Sequence, residues 1–154
     1  MKNIQMVVFF LGKEEYGIDI SCAQEILRIP ESITKMPDMP SFIEGMLNLR
    51  DRVIPVVDLR KRFGLEHMEK GNDSRLLVLN LEGMLFGNIV DDVSEVLSVD
   101  EKSIESLYVE IANLGKNCIQ GICKVDDRLI MLLDADKLKK EVFASYNVEM
   151  EEVI

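Results

Sequence analysis

The sequence has little of what catalytic and metal-binding sites usually require. Among its 154 residues there is one histidine, His67, and there are three cysteines, Cys22, Cys118 and Cys123. The histidine lies in a polar stretch without a nucleophile or further ligands nearby, so neither a catalytic triad nor a histidine-based metal site is indicated. The cysteines are odd in number and lack C-x-x-C spacing, which argues against a disulfide framework and against a zinc site.

Long apolar runs and phosphate-binding loops are also missing. The longest apolar run, Met6 to Leu11, has six residues, far short of the roughly 20 that a membrane-spanning helix needs. None of the nine glycines falls into G-x-x-x-x-G-K-S/T or G-x-G-x-x-G. The N-terminus has no signal-peptide layout. We therefore expect a cytoplasmic protein with no membrane insertion, no cofactor and no catalytic activity.

Basic charge is scarce as well. The chain has 18 Lys and Arg against 28 Asp and Glu, which gives a formal net charge of −10. A nucleic-acid binder needs a basic face that neutralises phosphates, so nucleic acid is not an expected partner. The carboxylates that cluster between Asp91 and Glu105 are typical of a solvated face rather than of a catalytic pair.

What the sequence does contain is an internal repeat. Residues 5–29 align with residues 75–99 at an offset of 70, and the stretch 42–65 returns in weaker form at an offset of 76. The second copy lacks Asn48 and Arg50. Polar residues found in only one of two related units are the better candidates for function. Identities in the first alignment fall at Val8/Val78, Leu11/Leu81, Gly17/Gly87, Glu25/Glu95 and Leu27/Leu97.

The apolar pattern within each unit is that of short strands. The segment Tyr16 to Ile20 alternates as a half-buried strand should, and residues 45–50 and 52–58 predict a hairpin that turns at about Arg50 to Arg52. Five short strands in about 65 residues predict a small closed barrel, because closure removes exposed sheet edges. We place one barrel in residues 1–65 and the other in 75–143, within a single domain spanning 1–154.

Several residues of the hairpin stretch have structural interpretations. Gly45 and its counterpart Gly121 are predicted at a turn or bulge where a side chain would clash, and Asp58 and Asp134 are predicted to cap a helical turn. Arg50, at the hairpin tip, can pair with a carboxylate, either internal or on a partner. An ordinary charged hairpin tip is an equal alternative. Predicted core positions are Ile54, Val56 and Leu59, and a local basic patch is predicted from Arg52, Arg60, Lys61 and Arg62.

These segments together resemble the bacterial chemotaxis coupling proteins of the CheW-like family. The likeness rests on residues 45–59, on residues 14–20, and on Gly87 with residues 90–93, and it runs from about Gln5 to Glu141. The resemblance implies a mostly all-β fold of two five-stranded SH3-like barrels in tandem, with short helices between strands and at the C-terminus. The sequence departs from the family at Asp51, where glycine is common, and we expect a changed turn geometry there.

The resemblance also implies a role and its residues. The family is a non-catalytic adaptor that couples chemoreceptors to the chemotaxis histidine kinase in two-component signalling. Contact with the cytoplasmic tip of methyl-accepting chemoreceptors maps to Glu25, Gly45, Asn48, Arg50, Val93 and Val96. Contact with the regulatory domain of the kinase maps to Val7, Ile20 and Ala23. We further hypothesise that Glu25 and Arg50 pair across the groove between the barrels.

Some alternatives stay open at the level of sequence. Val7, Ile20 and Ala23 could equally be core, because strand alternation turns only one set of positions inward and the sequence does not say which set. The chain could serve a different, non-motility chemosensory pathway, or be an SH3-like nucleic-acid-binding module, which its charge opposes. Whether the two barrels exchange a strand is also open.

Overall fold

The computed structural model describes residues 2–66, 70–106 and 118–153, so His67 lies outside the described residues. The strands are β1 Asn3–Leu11, β2 Glu14–Asp19, β3 Ala23–Arg28, β4 Ile43–Leu49, β5 Arg52–Asp58, β6 Arg75–Leu81, β7 Met84–Val90, β8 Asp92–Asp100, β9 Ile104–Ser106, β10 Ile119–Val125 and β11 Arg128–Leu133. The α-helices are the short α1, Leu59–Arg62, and the longer α2, Ala135–Val153. Single 3₁₀ turns span Ile20–Cys22 and Glu101–Ser103. No helix in the described ranges combines the length and the hydropathy needed to span a bilayer.

The strands form two sheets, one for each barrel. The five-stranded sheet has the order β3-β6-β7-β5-β4, which we call the first barrel, and the six-stranded sheet, the second barrel, has the order β8-β1-β2-β11-β10-β9. The predicted mostly-β architecture of two SH3-like barrels is confirmed. The second barrel has a sixth strand because the short β9 pairs with β10 at the sheet edge.

Neither barrel is built from one half of the chain. The β1–β2 hairpin of the first repeat joins strands of the second repeat through β8 and through a parallel contact with β11. The β6–β7 hairpin of the second repeat joins the first repeat in the same way, through β3 and a parallel contact with β5. The exchange left open by the sequence is therefore present, and residues 1–65 and 75–143 each contribute strands to both sheets.

Three apolar clusters hold the barrels together. The interior of the first barrel contains Leu47, Ile54, Val56, Leu76, Val78, Leu85 and Ile89. The interior of the second contains Met6, Val8, Val99, Cys123, Ile130 and Leu132. The largest, which we call the central cluster, draws on both sheets and on α2, and includes Val7, Phe9, Tyr16, Leu77, Phe86, Leu138 and Phe143. Most apolar burial thus joins the two barrels to each other and to the helix.

Both faces of the exchanged strands are covered. In β1, Met6 and Val8 face the interior of the second barrel, whereas Val7 and Phe9 face the central cluster, and all four are at most 3% exposed. The rings of Phe9 and Tyr16 stack at a centroid distance of 5.7 Å on this second face. A strand covered on both faces carries a continuous apolar run rather than an alternating one, which explains the run from Met6 to Leu11.

The local predictions around the repeated stretch are confirmed. A β-bulge lies between Ile43 and Gly45, and another lies at the equivalent place before Gly121. Asp58 accepts hydrogen bonds from the amides of Arg60 and Lys61 at the start of α1. Asp134 accepts one from the amide of Lys137 at the start of α2. Each carboxylate thus satisfies amide donors that a helix start leaves free. The predicted core positions Ile54, Val56 and Leu59 are at most 2% exposed.

Candidate functional site

The turn between β4 and β5 presents the Arg50 side chain at the surface. Its two central residues have positive φ angles, 47° at Arg50 and 69° at Asp51. Two left-handed residues in succession are what a type I′ hairpin turn requires, because its twist matches that of the flanking strands. Asp51 thus adopts the left-handed backbone that a glycine would adopt more easily.

The Arg50 guanidinium is held by Glu25. Its Nη2 donates to Glu25 Oε1, and the side chains are 63% and 22% exposed, respectively. The predicted pair is therefore present, but its predicted location between the barrels is wrong. Glu25 lies on β3 and Arg50 follows β4, and both strands belong to the first barrel. An ion pair this exposed contributes about 0–1 kcal/mol to stability, so its main effect is to orient the guanidinium.

The remaining predicted receptor residues lie in different settings. Asn48 is exposed on β4, two residues before Arg50, and Val96 is 53% exposed on β8 of the second barrel. Val93, also on β8, is half-buried against the central cluster. Gly45 is buried, and a Cβ built on it would lie 2.3 Å from the carbonyl oxygen of Thr34. Its lack of a side chain is therefore explained by the segment that packs on β4.

The predicted kinase residues divide between surface and core. Ile20 is 36% exposed in the 3₁₀ turn after β2. Ala23 is half-buried and packs on the central cluster. Val7 is only 3% exposed and belongs to the central cluster. Its prediction as a partner-facing residue is corrected here, because the side chain is enclosed between the two barrels.

The predicted basic patch around Arg50 is wrong, because its members point to separate partners. Arg60 is buried and forms an ion pair with Asp91, and Arg62 binds Glu141 of α2 at 2.6 Å. Lys61 lies 3.6 Å from Glu44, and Arg52 donates to the carbonyl of Gly83. The hydrogen bond to Asp91 raises the pKa of Arg60, and it outweighs burial, which alone would lower that pKa.

The structure adds exposed apolar residues that the sequence analysis did not single out. Ile26 is 45% exposed and Val53 is 59% exposed on the first barrel. The equivalent positions in the second barrel, at offsets of 70 and 76, are Val96 at 53% and Leu129 at 60%. The sequence did carry a signal for these surface positions, because each of them is apolar in both repeats. Each barrel thus exposes a matched pair of apolar side chains.

The fold and this surface define a class of protein. Two barrels joined by exchanged hairpins and by a shared central cluster form one unit. Strands of both barrels carry exposed apolar side chains, and the first barrel also carries the ion-paired Arg50. Such a unit is a protein-interaction module.

The comparisons with known proteins identify the family. A family model described as the CheW-like domain matches residues 5–142, so the chain belongs to the CheW-like domain family. Chemotaxis protein CheW of Treponema pallidum is 33% identical over 141 residues, covering 89% of this chain and 82% of that protein. Chemotaxis protein CheW of Klebsiella aerogenes is 34% identical over 134 residues, covering 87% of this chain and 80% of that protein.

A solved structure agrees with this family. The crystal structure of scaffolding protein TtCheW from Thermoanaerobacter tengcongensis aligns with a TM-score of 0.78 and 41% sequence identity. The alignment covers 86% of this chain and 85% of that one. The shared fold therefore includes both barrels.

Proposed function

We propose that this protein is the non-catalytic scaffold that couples cytoplasmic chemoreceptor tips to the chemotaxis histidine kinase. The observation that carries this proposal is the family match over residues 5–142, which includes both barrels. Further support comes from the relatives that are chemotaxis protein CheW and from the solved structure of the scaffolding protein TtCheW. Because the chain spans about four-fifths or more of each of these proteins, the proposal concerns the adaptor as a whole.

The receptor face in this proposal centres on Glu25, Asn48 and Arg50. The ion pair with Glu25 holds Arg50 in one orientation before a partner arrives, which reduces the entropy cost of binding. Asn48 is exposed on the same barrel and supplies an amide for further hydrogen bonds. Val96, with the half-buried Val93 beside it, adds apolar area from β8.

The kinase face in this proposal centres on Ile20, with Ala23 next to it. Ile20 is the exposed apolar residue of the predicted set. Val7 would act only indirectly, by supporting the fold from the central cluster. A single exposed side chain supplies modest affinity, but repeated contacts in an array of adaptors raise the effective concentration of each partner. Weak individual contacts are therefore compatible with a stable signalling assembly.

The experiment is a pull-down with two purified baits, a chemoreceptor cytoplasmic fragment and the regulatory domain of a chemotaxis histidine kinase. We expect Arg50→Ala to lose receptor binding and keep kinase binding, and Ile20→Glu to do the reverse. Met36→Glu is the matched control, because Met36 is also apolar and 39% exposed but lies outside both faces. The proposed faces would be contradicted if Arg50→Ala bound the receptor fragment, and Ile20→Glu bound the kinase domain, as well as the control variant does.

A double-mutant cycle tests the ion pair itself. Exchanging the charges, with Glu25→Arg and Arg50→Glu in one chain, restores an ion pair in the first barrel. We expect receptor binding to recover in part relative to either single variant, because the geometry of the turn is restored although position 50 no longer carries the guanidinium. Strictly additive losses in the double variant would show that the two residues act independently.

A further inference from the structure

A polar groove opens on the first barrel, away from the receptor and kinase faces proposed above. It has a volume of about 750 Å³ and lies between the segment after β3 and the segment before β6. Its charged lining consists of Arg28, Lys35, Lys70 and Arg75 with only two carboxylates, Glu31 and Glu44. The groove is therefore locally positive on a protein whose formal net charge is −10.

One end of the groove holds two arginines side by side. Arg28 on β3 and Arg75 on β6 are direct partners in the antiparallel register, and like charges at opposed positions destabilise a sheet. Arg75 donates to the carbonyls of Asn72 and Ser74 at 2.7 and 2.8 Å. Within the described ranges neither guanidinium has a carboxylate partner. Both guanidinium charges therefore lack a counter-charge within the part of the chain that the structure describes.

The other end of the groove gathers lysines around one carboxylate. Glu44 lies 3.3 Å from the Lys70 ammonium and 3.6 Å from that of Lys61. Burial raises the pKa of Glu44, but Lys70, Lys61 and Lys35 together outweigh burial and lower it. One carboxylate thus serves several cations, so an excess of positive charge remains here too.

The wall that carries Lys35 is fixed by backbone pairing. Thr34 and Met46 exchange two hydrogen bonds, of 2.8 and 2.7 Å, which attach this segment to β4. The attachment is possible because Gly45 has no side chain beneath Thr34. The groove is thus formed before a ligand arrives, as binding sites usually are.

We propose that this groove binds an acidic segment of a partner protein. Its volume falls within the range of pockets that enclose drug-sized ligands, which is more room than one phosphate needs. The carboxylates of Glu31 and Glu44 lie among the cations, so a suitable ligand spaces its negative groups instead of concentrating them. A peptide with separated carboxylates can place one on the arginine pair, where bidentate bonds form, and another at the lysines. This inference goes beyond the scaffold function and needs neither receptor nor kinase.

The test uses the purified chain and a fluorescein-labelled octapeptide of alternating glutamate and serine, followed by fluorescence anisotropy. We expect binding at low salt that weakens as ionic strength rises, because the cations are partly exposed and become screened. In the variant Arg28→Gln/Lys35→Gln the dissociation constant should rise about tenfold, the effect of losing two partly exposed ion pairs. The control Lys13→Gln/Lys124→Gln has the same net charge as the groove variant, but it should bind the peptide as tightly as the unaltered chain does.

Three results would overturn the proposal. The first is that the unaltered chain does not bind the peptide. The second is that the control variant binds it as weakly as the groove variant does. The third is that pyrophosphate displaces the labelled peptide at a lower concentration than unlabelled peptide does. The last would identify a phosphate site instead.

A separate readout tests the arginine pair. Arg28→Gln should raise the urea midpoint of unfolding while it weakens peptide binding, because it removes the repulsion with Arg75; a lower midpoint would contradict the like-charge explanation.

Discussion

The substitution Gly45→Ala tests how the first barrel is assembled. A Cβ at this position would lie 2.3 Å from the Thr34 carbonyl oxygen and 2.9 Å from the Thr34 carbonyl carbon. These are backbone atoms, so the methyl group can be accommodated only if the segment moves off β4. That movement breaks the two hydrogen bonds between Thr34 and Met46. At about 0.5–1.5 kcal/mol for each bond, we expect a loss of about 1–3 kcal/mol in the free energy of unfolding, similar to other overpacked sites.

The assay is urea unfolding followed by circular dichroism, with a matched alanine substitution elsewhere. Gly71→Ala is the control, because a Cβ there meets nothing within 4 Å, and such a change is expected to be neutral or stabilising by about 0.4–1 kcal/mol. Gly121→Ala, the counterpart of Gly45 in the repeat, should lose stability too, since its Cβ would lie 2.8 Å from the Glu105 carbonyl. Equal midpoints for Gly45→Ala and Gly71→Ala would refute the reasoning.

Burial raises the pKa of Asp91, but the Arg60 guanidinium and the Gly12 amide outweigh it and lower the pKa. The ionised Asp91 therefore stabilises the folded state fully above about pH 4, and this stabilisation is lost as the pH falls through the folded pKa. In Asp91→Asn the free energy of urea unfolding should depend less steeply on pH below about pH 4. An unchanged slope would contradict this. Asp51→Gly should raise the free energy of urea unfolding by about 0.5 kcal/mol, because glycine adopts the left-handed turn more easily; a loss would show that the Asp51 side chain stabilises the turn. Burial raises the pKa of Cys118 to about 11, so iodoacetamide should modify it more slowly than the half-buried Cys22 at pH 8, and equal rates in the folded protein would argue against its burial.

Features governed by short-range chemistry could be predicted from the sequence. The hairpin at Arg50, the helix caps at Asp58 and Asp134, and the glycine bulges at Gly45 and Gly121 all depend on residues near one another in the chain or on a missing side chain. The repeat adds independent support, because each such feature appears twice. These predictions agree with the structure at both copies, except for the receptor role of Gly45, which stays a prediction.

The surroundings of individual side chains could not be predicted in the same way. The side chains of Arg52, Arg60, Lys61 and Arg62 are close in sequence, yet each reaches a different partner. Arg52 lies at the start of β5, whereas the short helix α1 turns the other three in different directions. The partner of Arg50 could be named from the resemblance, but its place within one barrel depends on β3 and β4 belonging to the same sheet. The cationic groove was missed for the same reason, since Arg28 and Arg75 are brought together only by strand pairing.

By itself the sequence determined the class of fold, the repeat and the turns, because periodicity and turn residues act locally, and its motifs carried the resemblance to the family. Only the tertiary structure decided which strands share a barrel and which apolar residues remain at the surface. The reason is that exchanged hairpins have a second sheet, and not water, against their outer face. Alternation then no longer separates inside from outside, so Val7 is enclosed while Val96, its direct partner across the β1–β8 pair, is exposed.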